Sequence, residues 1–338
     1  MGSVSLAKAE TRRLVKRRFT RLFVLCGVLV LAAVAAGVLL TNHKTGPEQI
    51  AKATAEAQAN YQQTVLANDR IKQECQRAQG TPDASNFPPN CEISDPAPSD
   101  FDPKWYLPPT FDFRESFGEM VTTFAAVLAL VAYIVGASFV GAEWSSGGMM
   151  NLLLWRPRRL QVLGTKLGVL LSWTTVLTVV LGVLWTAGFY FIAKARGTTD
   201  SMTSGAWQSI GLMELRALVL VLVAGALGFG LASLGRHTAT ALGVAIGVTV
   251  VLQFGLAVLL GLANVKFPEV YLAPFWVYAW LNKEYISQDF QTCAFSPTEG
   301  CKPETFTITW QMSGIAMVAL FALVVGGAMW TMRKRDIT

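Results

Sequence analysis

The sequence predicts an all-α membrane protein with six transmembrane helices, and three observations carry that prediction. Of 338 residues, 52% are hydrophobic and only 15% charged, with a mean hydropathy of +0.42, a balance outside that of water-soluble domains. Six apolar runs, each long enough to cross about 30 Å of hydrocarbon with every backbone polar group satisfied internally, punctuate the chain. Lys and Arg gather at one set of helix ends. With the N- and C-termini cytoplasmic, the inner segments carry 15 positive and 3 negative residues and all others 13 and 19, as the positive-inside rule requires.

Residues 1–21 carry Lys8, Arg12, Arg13, Lys16, Arg17, Arg18 and Arg21, with Leu6, Leu14, Val15 and Phe19 able to share part of one helical face. They read as an amphipathic helix on the cytoplasmic membrane surface, Glu10, Arg13 and Arg17 included, or as a plain topology-setting flank. The first span, Leu22–Leu40 (22–41 with its flank), has small residues suited to signal cleavage, but its apolar run is about twice a typical h-region. It is therefore read as a retained anchor.

Residues 42–117 are too long for a plain connector and are expected to form an extracytoplasmic loop domain of helical and irregular structure. Glu48 to Gln79 is rich in Ala, Gln, Glu and Lys and favours a helix or helical hairpin. Prolines 82, 88, 89, 96, 98, 103, 108 and 109 then forbid a long helix. Phe101, Trp105, Tyr106, Phe111 and Phe113 mark the return to the interface. Cys75 with Cys91 in this loop, and Cys293 with Cys301 in the last outer loop, fall on the oxidising side and predict two local disulfides. Cys26, inside the first span, reads as a small core residue.

The second span is Met120–Gly141 (118–141), the third Leu167–Ala193 (167–193), and an outer loop of 194–211 leads to the fourth, Leu212–Leu234 (212–234). The fifth, Ala239–Ala263 (239–263), contains a Gly243-to-Gly247 small-residue motif suited to close helix packing. Residues 264–311 form an outer loop with Tyr271, Phe275, Trp276, Tyr278 and Trp280, expected to begin with a re-entrant or short helix broken from the fifth span by Pro268 and Pro274. The sixth span, Met312–Met332 (312–332), ends in a cytoplasmic tail, 333–338.

Several function classes fall away. The sequence contains no G-x-x-x-x-G-K-[ST], no C-x-x-C and no H-E-x-x-H, and it has two histidines, so neither a catalytic centre nor a metal site is expected. Basic residues confined to helix ends make nucleic acid a poor partner. Ionisable groups are scarce within the spans, which disfavours an ion-coupled carrier. Glu119, Glu214 and Arg216, near outer helix ends, are either a candidate outer gate or charges snorkelling to the interface.

Residues 142–166 join the second and third spans. A short helix through Met149 to Trp155, ended by Pro157, would expose a Leu and Met face that needs protein or lipid to cover it. It is a docking element or an interfacial helix. Glu143, Gly147, Gly148, Leu152, Leu153, Leu154, Pro157, Arg158, Arg159 and Lys166 follow a pattern of an acidic residue leaving one span, small residues, a Leu-rich turn, Pro with basic neighbours, and Lys entering the next span. That pattern resembles the permease subunits of ABC-2-type transporters. The ending Arg333-Lys-Arg-Asp-Ile337 and the opening from Ala9 to Arg18 are similar to the family's termini.

The resemblance implies a six-helix permease without enzymatic activity or a cofactor of its own, pairing with a second permease, alike or different. ATP and Mg would bind a separate ATP-binding subunit. By matching position, Glu143, Met149, Leu152, Leu153, Leu154, Pro157, Arg158 and Arg159 would form the coupling segment that docks on that ATPase, with the N-terminal helix beside it. The expected setting is the bacterial plasma membrane, in contact with lipid, and the expected activity is export of an amphipathic, lipid-like or peptide substrate. The alternative is a non-transporting scaffold or sensor whose outer loop binds a ligand.

Overall fold

The structure is a computed structural model and describes residues 3–82, 86–91, 93–155, 158–289, 295–296, 300–301 and 303–334. Six helices are long and apolar enough to span a membrane: Arg18–Thr41, Phe113–Ser145, Arg159–Arg196, Ser204–Gly235, Thr238–Leu262 and Trp310–Lys334. The six expected spans fall on them. The chain divides into two compact units, one of residues 1–35, 114–189 and 202–338, the other of 36–113 and 190–201.

The larger unit begins with α1 (Ser3–Lys16). Leu6, Glu10 and Leu14, spaced four apart, are buried on one face, while Lys8, Arg12 and Lys16 are exposed, as a 3.6-residue period dictates. The helix breaks at Arg17 before α2 (Arg18–Thr41), and Arg21 Nε donates to the Val15 carbonyl at 3.0 Å, capping an orphan acceptor of the last turn. α4 (Phe113–Ser145), α5 (Gly148–Trp155), α6 (Arg159–Arg196) and α7 (Ser204–Gly235) follow α3 (Pro47–Ala78) of the smaller unit.

Close approach of α4 and α7 depends on glycine. A Cβ at Gly136 would run into the backbone carbonyl of Gly225, and one at Gly228 into that of Tyr133. With no side chain on either contact, the two backbones meet directly, as small residues allow in membrane helix pairs. Tyr133 Oη then donates to the Ala241 carbonyl at 2.6 Å, holding the start of α8 (Thr238–Ile246). The fifth span continues through a π-helical stretch, Gly247–Gly255, into α9 (Leu256–Leu262), and of its residues only Ala241 is buried. A π stretch adds a residue per turn and re-aims the side chains beyond it.

The segment expected as a re-entrant piece contains α10 (Ala273–Asn282) and then β-structure, so the all-α expectation needs correcting. β3 (Glu284–Asp289) pairs antiparallel with β6 (Glu304–Thr309), Glu284 opposite Thr309 and Asp289 opposite Glu304, while β4 (Phe295–Ser296) pairs with β5 (Gly300–Cys301). Tyr285, Ile286, Phe306, Thr307 and Ile308 are β-branched or aromatic, the types that favour a pleated surface. Near this hairpin Lys266 pairs with Glu304 at 2.9 Å, and that hydrogen bond and the carboxylate's charge raise the lysine's pKa above its ordinary value. The expected Cys293–Cys301 bridge falls outside the described side chains. α11 (Trp310–Lys334) closes the unit against α7 and α10.

The smaller unit is built on α3 (Pro47–Ala78), which starts with Pro at its first turn and buries Ala53, Ala57 and Cys75. One continuous helix stands where a helix or helical hairpin was expected. Among the described residues the proline-rich chain forms short 3₁₀ turns at Pro89–Cys91, Pro98–Phe101 and Pro103–Tyr106. Four attachments fasten it to α3: the Cys75–Cys91 disulfide, a Lys72–Asp95 ion pair, Asn68 Nδ2 donating to the Ser94 carbonyl at 2.8 Å, and Tyr61 packed edge-on to Phe101 at 5.7 Å. β1 (Phe111–Asp112) pairs in parallel with β2 (Gly197–Thr198).

Gly228→Val is expected to lower the thermal midpoint of the purified protein in detergent by an overpacking cost of about 1–3 kcal/mol. Gly37→Ala, where an added Cβ meets nothing within 4 Å, should leave it unchanged or raise it slightly. A second outcome concerns the staple: after thiol blocking, reduction of the intact protein should release two alkylatable thiols at Cys75 and Cys91, read by peptide mass.

Candidate functional site

Five charged side chains meet where α1, α4 and α6 converge, all within the larger unit. Glu10 and Lys166 are both fully buried, and Glu143 is nearly so. Lys166 Nζ lies 2.5 Å from Glu10 Oε2 and 2.6 Å from Glu143 Oε2. Arg17 Nη2 reaches Glu143 Oε1 at 3.0 Å, and Arg13 Nη1 reaches Glu10 Oε1 at 3.2 Å. Along the relay the charges alternate from Arg13 to Glu10, Lys166, Glu143 and Arg17.

Local sequence explains the geometry. Glu10 is the single acid among the basic residues of α1, and it sits one turn from Leu6 and one from Leu14, so it must share their buried face. Lys166 occupies the third turn of α6, between buried Leu163 and Leu170. Glu143 stands on the last turns of α4, which α6 and α1 both approach. Arg17, at the break between α1 and α2, also donates through Nη1 to the carbonyls of Ser138 at 2.9 Å and Phe139 at 3.1 Å. The Phe139 ring lies beneath both cations, 5.4 Å from the Arg17 guanidinium and 5.0 Å from Lys166 Nζ, where the negative face of the ring adds attraction.

Burying any one of these charges alone would be prohibitive, because desolvation costs several kcal/mol per ion. The alternation offsets it, and each head group has at least one partner of opposite sign. The arrangement cannot perform acid–base chemistry on a substrate, since its central groups are sealed from solvent. What it can do is lock three helices together mechanically.

The same end of α4 holds two further contacts. Arg236, in the left-handed conformation that ends α7 (φ 53°, ψ 19°), stacks on Trp144 at 5.1 Å. Any Cβ at Gly141 would strike the backbone of Thr238, so the turn between the fourth and fifth spans presses against α4. Gly147, at φ 72°, reverses the chain into α5 in a conformation that favours glycine. Gly147 follows Glu143 by four positions, so the relay fixes where α5 begins.

The remaining sequence-derived candidates divide. Met149 is fully buried in the core that also contains Leu14, Phe139 and Leu163, which removes it from a docking face. Arg158 is exposed and Arg159 half-buried. The side chains of Leu152, Leu153 and Leu154, and all of Pro157, lie outside what the structure describes. Glu10 is not on a solvated face, as a surface helix would have it, but sealed against Lys166. Glu119, Glu214 and Arg216 do not come together: Glu214 accepts from the Thr186 hydroxyl, while Arg216 donates to the Leu281 carbonyl at 3.5 Å and stacks on Trp310 at 5.2 Å. Residues two apart on a helix point in different directions, which is why Glu214 and Arg216 face different neighbours. Among the described residues there is no cluster suited to a metal ion.

A family model described as ABC-2 family transporter protein matches residues 4–337. The chain belongs to this family. It is therefore a multi-pass membrane transport component, and membership implies association with an ATP-binding subunit. No curated protein matches the chain. The match runs from the first turn of α1 to the basic tail, so the N-terminal helix is part of the family's plan.

Lys166→Met would leave Glu10 and Glu143 buried and facing one another. It is expected to cost about 3–5 kcal/mol by thermal or denaturant unfolding in detergent. Adding Glu10→Gln to it should recover part of that loss. Arg13→Ala, which removes an exposed guanidinium and leaves buried Glu10 still paired with Lys166, should cost under about 1 kcal/mol.

Proposed function

We propose that the chain is the permease subunit of an ABC exporter of the bacterial plasma membrane, with both termini cytoplasmic. Two permeases, identical or not, enclose the pathway, and separate subunits bind ATP and Mg. The Glu10–Lys166–Glu143–Arg17 relay is the observation that carries this reading. It joins the N-terminal helix, the end of α4 and the start of α6 at the root of α5, where a push from a bound ATPase would have to enter. A body fastened by buried ion pairs transmits displacement rather than absorbing it.

In this reading Arg158, Arg159 and the Leu152–Leu154 segment face the ATPase, Met149 anchors α5 from inside, and α1 moves with it. The apolar, charge-poor span surfaces suit an amphipathic, lipid-like or peptide substrate. The smaller unit stands outside the cell, stapled by Cys75–Cys91. Glu119, Glu214 and Arg216 contribute to the outer face through separate contacts rather than as one gate.

Mild-detergent purification of the chain from its native membrane is expected to bring down a P-loop subunit with vanadate-sensitive ATP hydrolysis. Replacing Leu152, Leu153 and Leu154 with Gln should lower substrate-stimulated hydrolysis by about tenfold or more while leaving the chain folded, by analogy with the loss of a buried interface cluster. An eluate free of any ATPase, under conditions that keep other membrane complexes intact, would overturn the transporter reading in favour of a scaffold or sensor.

A further inference from the structure

The side of α6 next to Lys166 carries a cleft that the relay does not use. It has a volume of about 620 Å³ and runs between α1 and α6, with Ala7 and Thr11 on one wall and Thr165, Gly168, Trp173 and Val176 among the residues of the other. The α6 residues form one stripe spaced three and four apart, so from Thr165 to Val176 the cleft is about 16 Å long at 1.5 Å per residue. Its floor is open because position 168 is glycine: a Cβ there would meet nothing within 4 Å.

The cleft is largely apolar, with the Thr11 and Thr165 hydroxyls toward one end and Ser172, whose hydroxyl donates to the Gly168 carbonyl, along its length. Thr11 and Thr165 give hydroxyls near α1, each donating to its own helix, at 2.9 Å to the Ala7 carbonyl and 2.7 Å to the Gln161 carbonyl, so what they still offer is lone pairs that suit the hydroxyls of a headgroup and not its phosphate. Lys8 and Arg12, next in sequence to the lining residues Ala7 and Thr11, are exposed and outside every ion pair among the described residues. Trp173 and Val176 take the other end, and Val176 is 64% exposed. An occupant must then be an elongated amphiphile with an anionic head and an apolar tail.

The geometry points to a structural site for one anionic phospholipid, its phosphate at Lys8 and Arg12 and an acyl chain along α6 from Gly168 to Val176. A filled cleft wedges α1 against α6 beside the Glu10–Lys166 pair, so lipid occupancy and the relay reinforce one another. This site needs neither an ATPase nor a transported substrate, and it stands or falls apart from the reading above.

The test is native mass spectrometry of the full delipidated chain in detergent, titrated with phosphatidylglycerol, phosphatidylcholine or inorganic phosphate. Wild type is expected to retain one phosphatidylglycerol per chain with about tenfold or greater preference over phosphatidylcholine, from two cations near an anionic head. The double variant Lys8→Gln/Arg12→Gln should lose that preference, Gly168→Leu should lose both lipids, and phosphate should not compete. Ser172→Leu, on the same exposed stripe, blocks the cleft a second way if Gly168→Leu lowers the unfolding midpoint. Equal phosphatidylglycerol binding in wild type and both leucine variants would overturn the site. So would equal affinity for the two lipids, competition by phosphate alone, or a change in the number of chains per particle without a change in lipid, which would make the cleft a contact between copies.

Discussion

A lysine with no access to water, clamped between two carboxylates from different helices, is the interaction on which the basic end of this protein depends. Water cannot screen the charge of buried Lys166, so Glu10 and Glu143 must both remain within reach, and each fixes a helix: α1 for one, α4 for the other. Arg17 then ties the break between α1 and α2 to the α4 backbone. Removing an apolar contact here would loosen a packing surface, whereas removing one charge leaves another stranded in a low-dielectric interior. That asymmetry makes the junction close to all-or-none, and it suits a part that must pass on motion without yielding.

The helix packing around this junction follows a different logic. α4 and α7 meet backbone to backbone at Gly136, Gly225 and Gly228, and α7 receives α10 and α11 on another side. By contrast α2, α6, α11 and the fifth span keep large apolar side chains exposed, as helices facing lipid or another membrane subunit do. The fifth span is the extreme case, with its π-helical stretch and almost no buried residue. A single chain therefore contains a firm α4–α7 centre and apolar outer faces that require a non-aqueous neighbour.

The six spans were legible because hydropathy and helix length are local properties that one window of sequence contains. Cys75–Cys91 was legible for a related reason, since the two cysteines stand only 16 residues apart on the same outer segment. The hairpin of Glu284–Asp289 with Glu304–Thr309 was not, because two six-residue strands have no long period and their pairing is set by tertiary contact. The relay was half legible. Glu143 and Lys166 stood out as charges at span ends, but the second partner of Lys166, Glu10, is 156 residues away, and helix periodicity cannot report which distant side chain a buried face will meet. The available signal was Glu10 itself, a lone acid between two leucines of one face. Its burial follows from that spacing, and a buried acid requires a cation. Met149 was legible only as an apolar residue of a short helix, and that the chain's own core covers it is set by tertiary contact.

The central claim is that α1, the end of α4 and the start of α6 move as one body. Its most direct test places spin labels at Lys16 and Gln161, both exposed, in a chain whose Cys26, free among the described residues, has been replaced by alanine. The distance between them is measured by pulsed electron resonance in the assembled complex, nucleotide-free and vanadate-trapped. An unchanged distance distribution, while labels on the partner ATPase shift, is the expected result. A shift of about 5 Å, one helical turn, between the two labels would contradict it and show that the relay opens during the cycle.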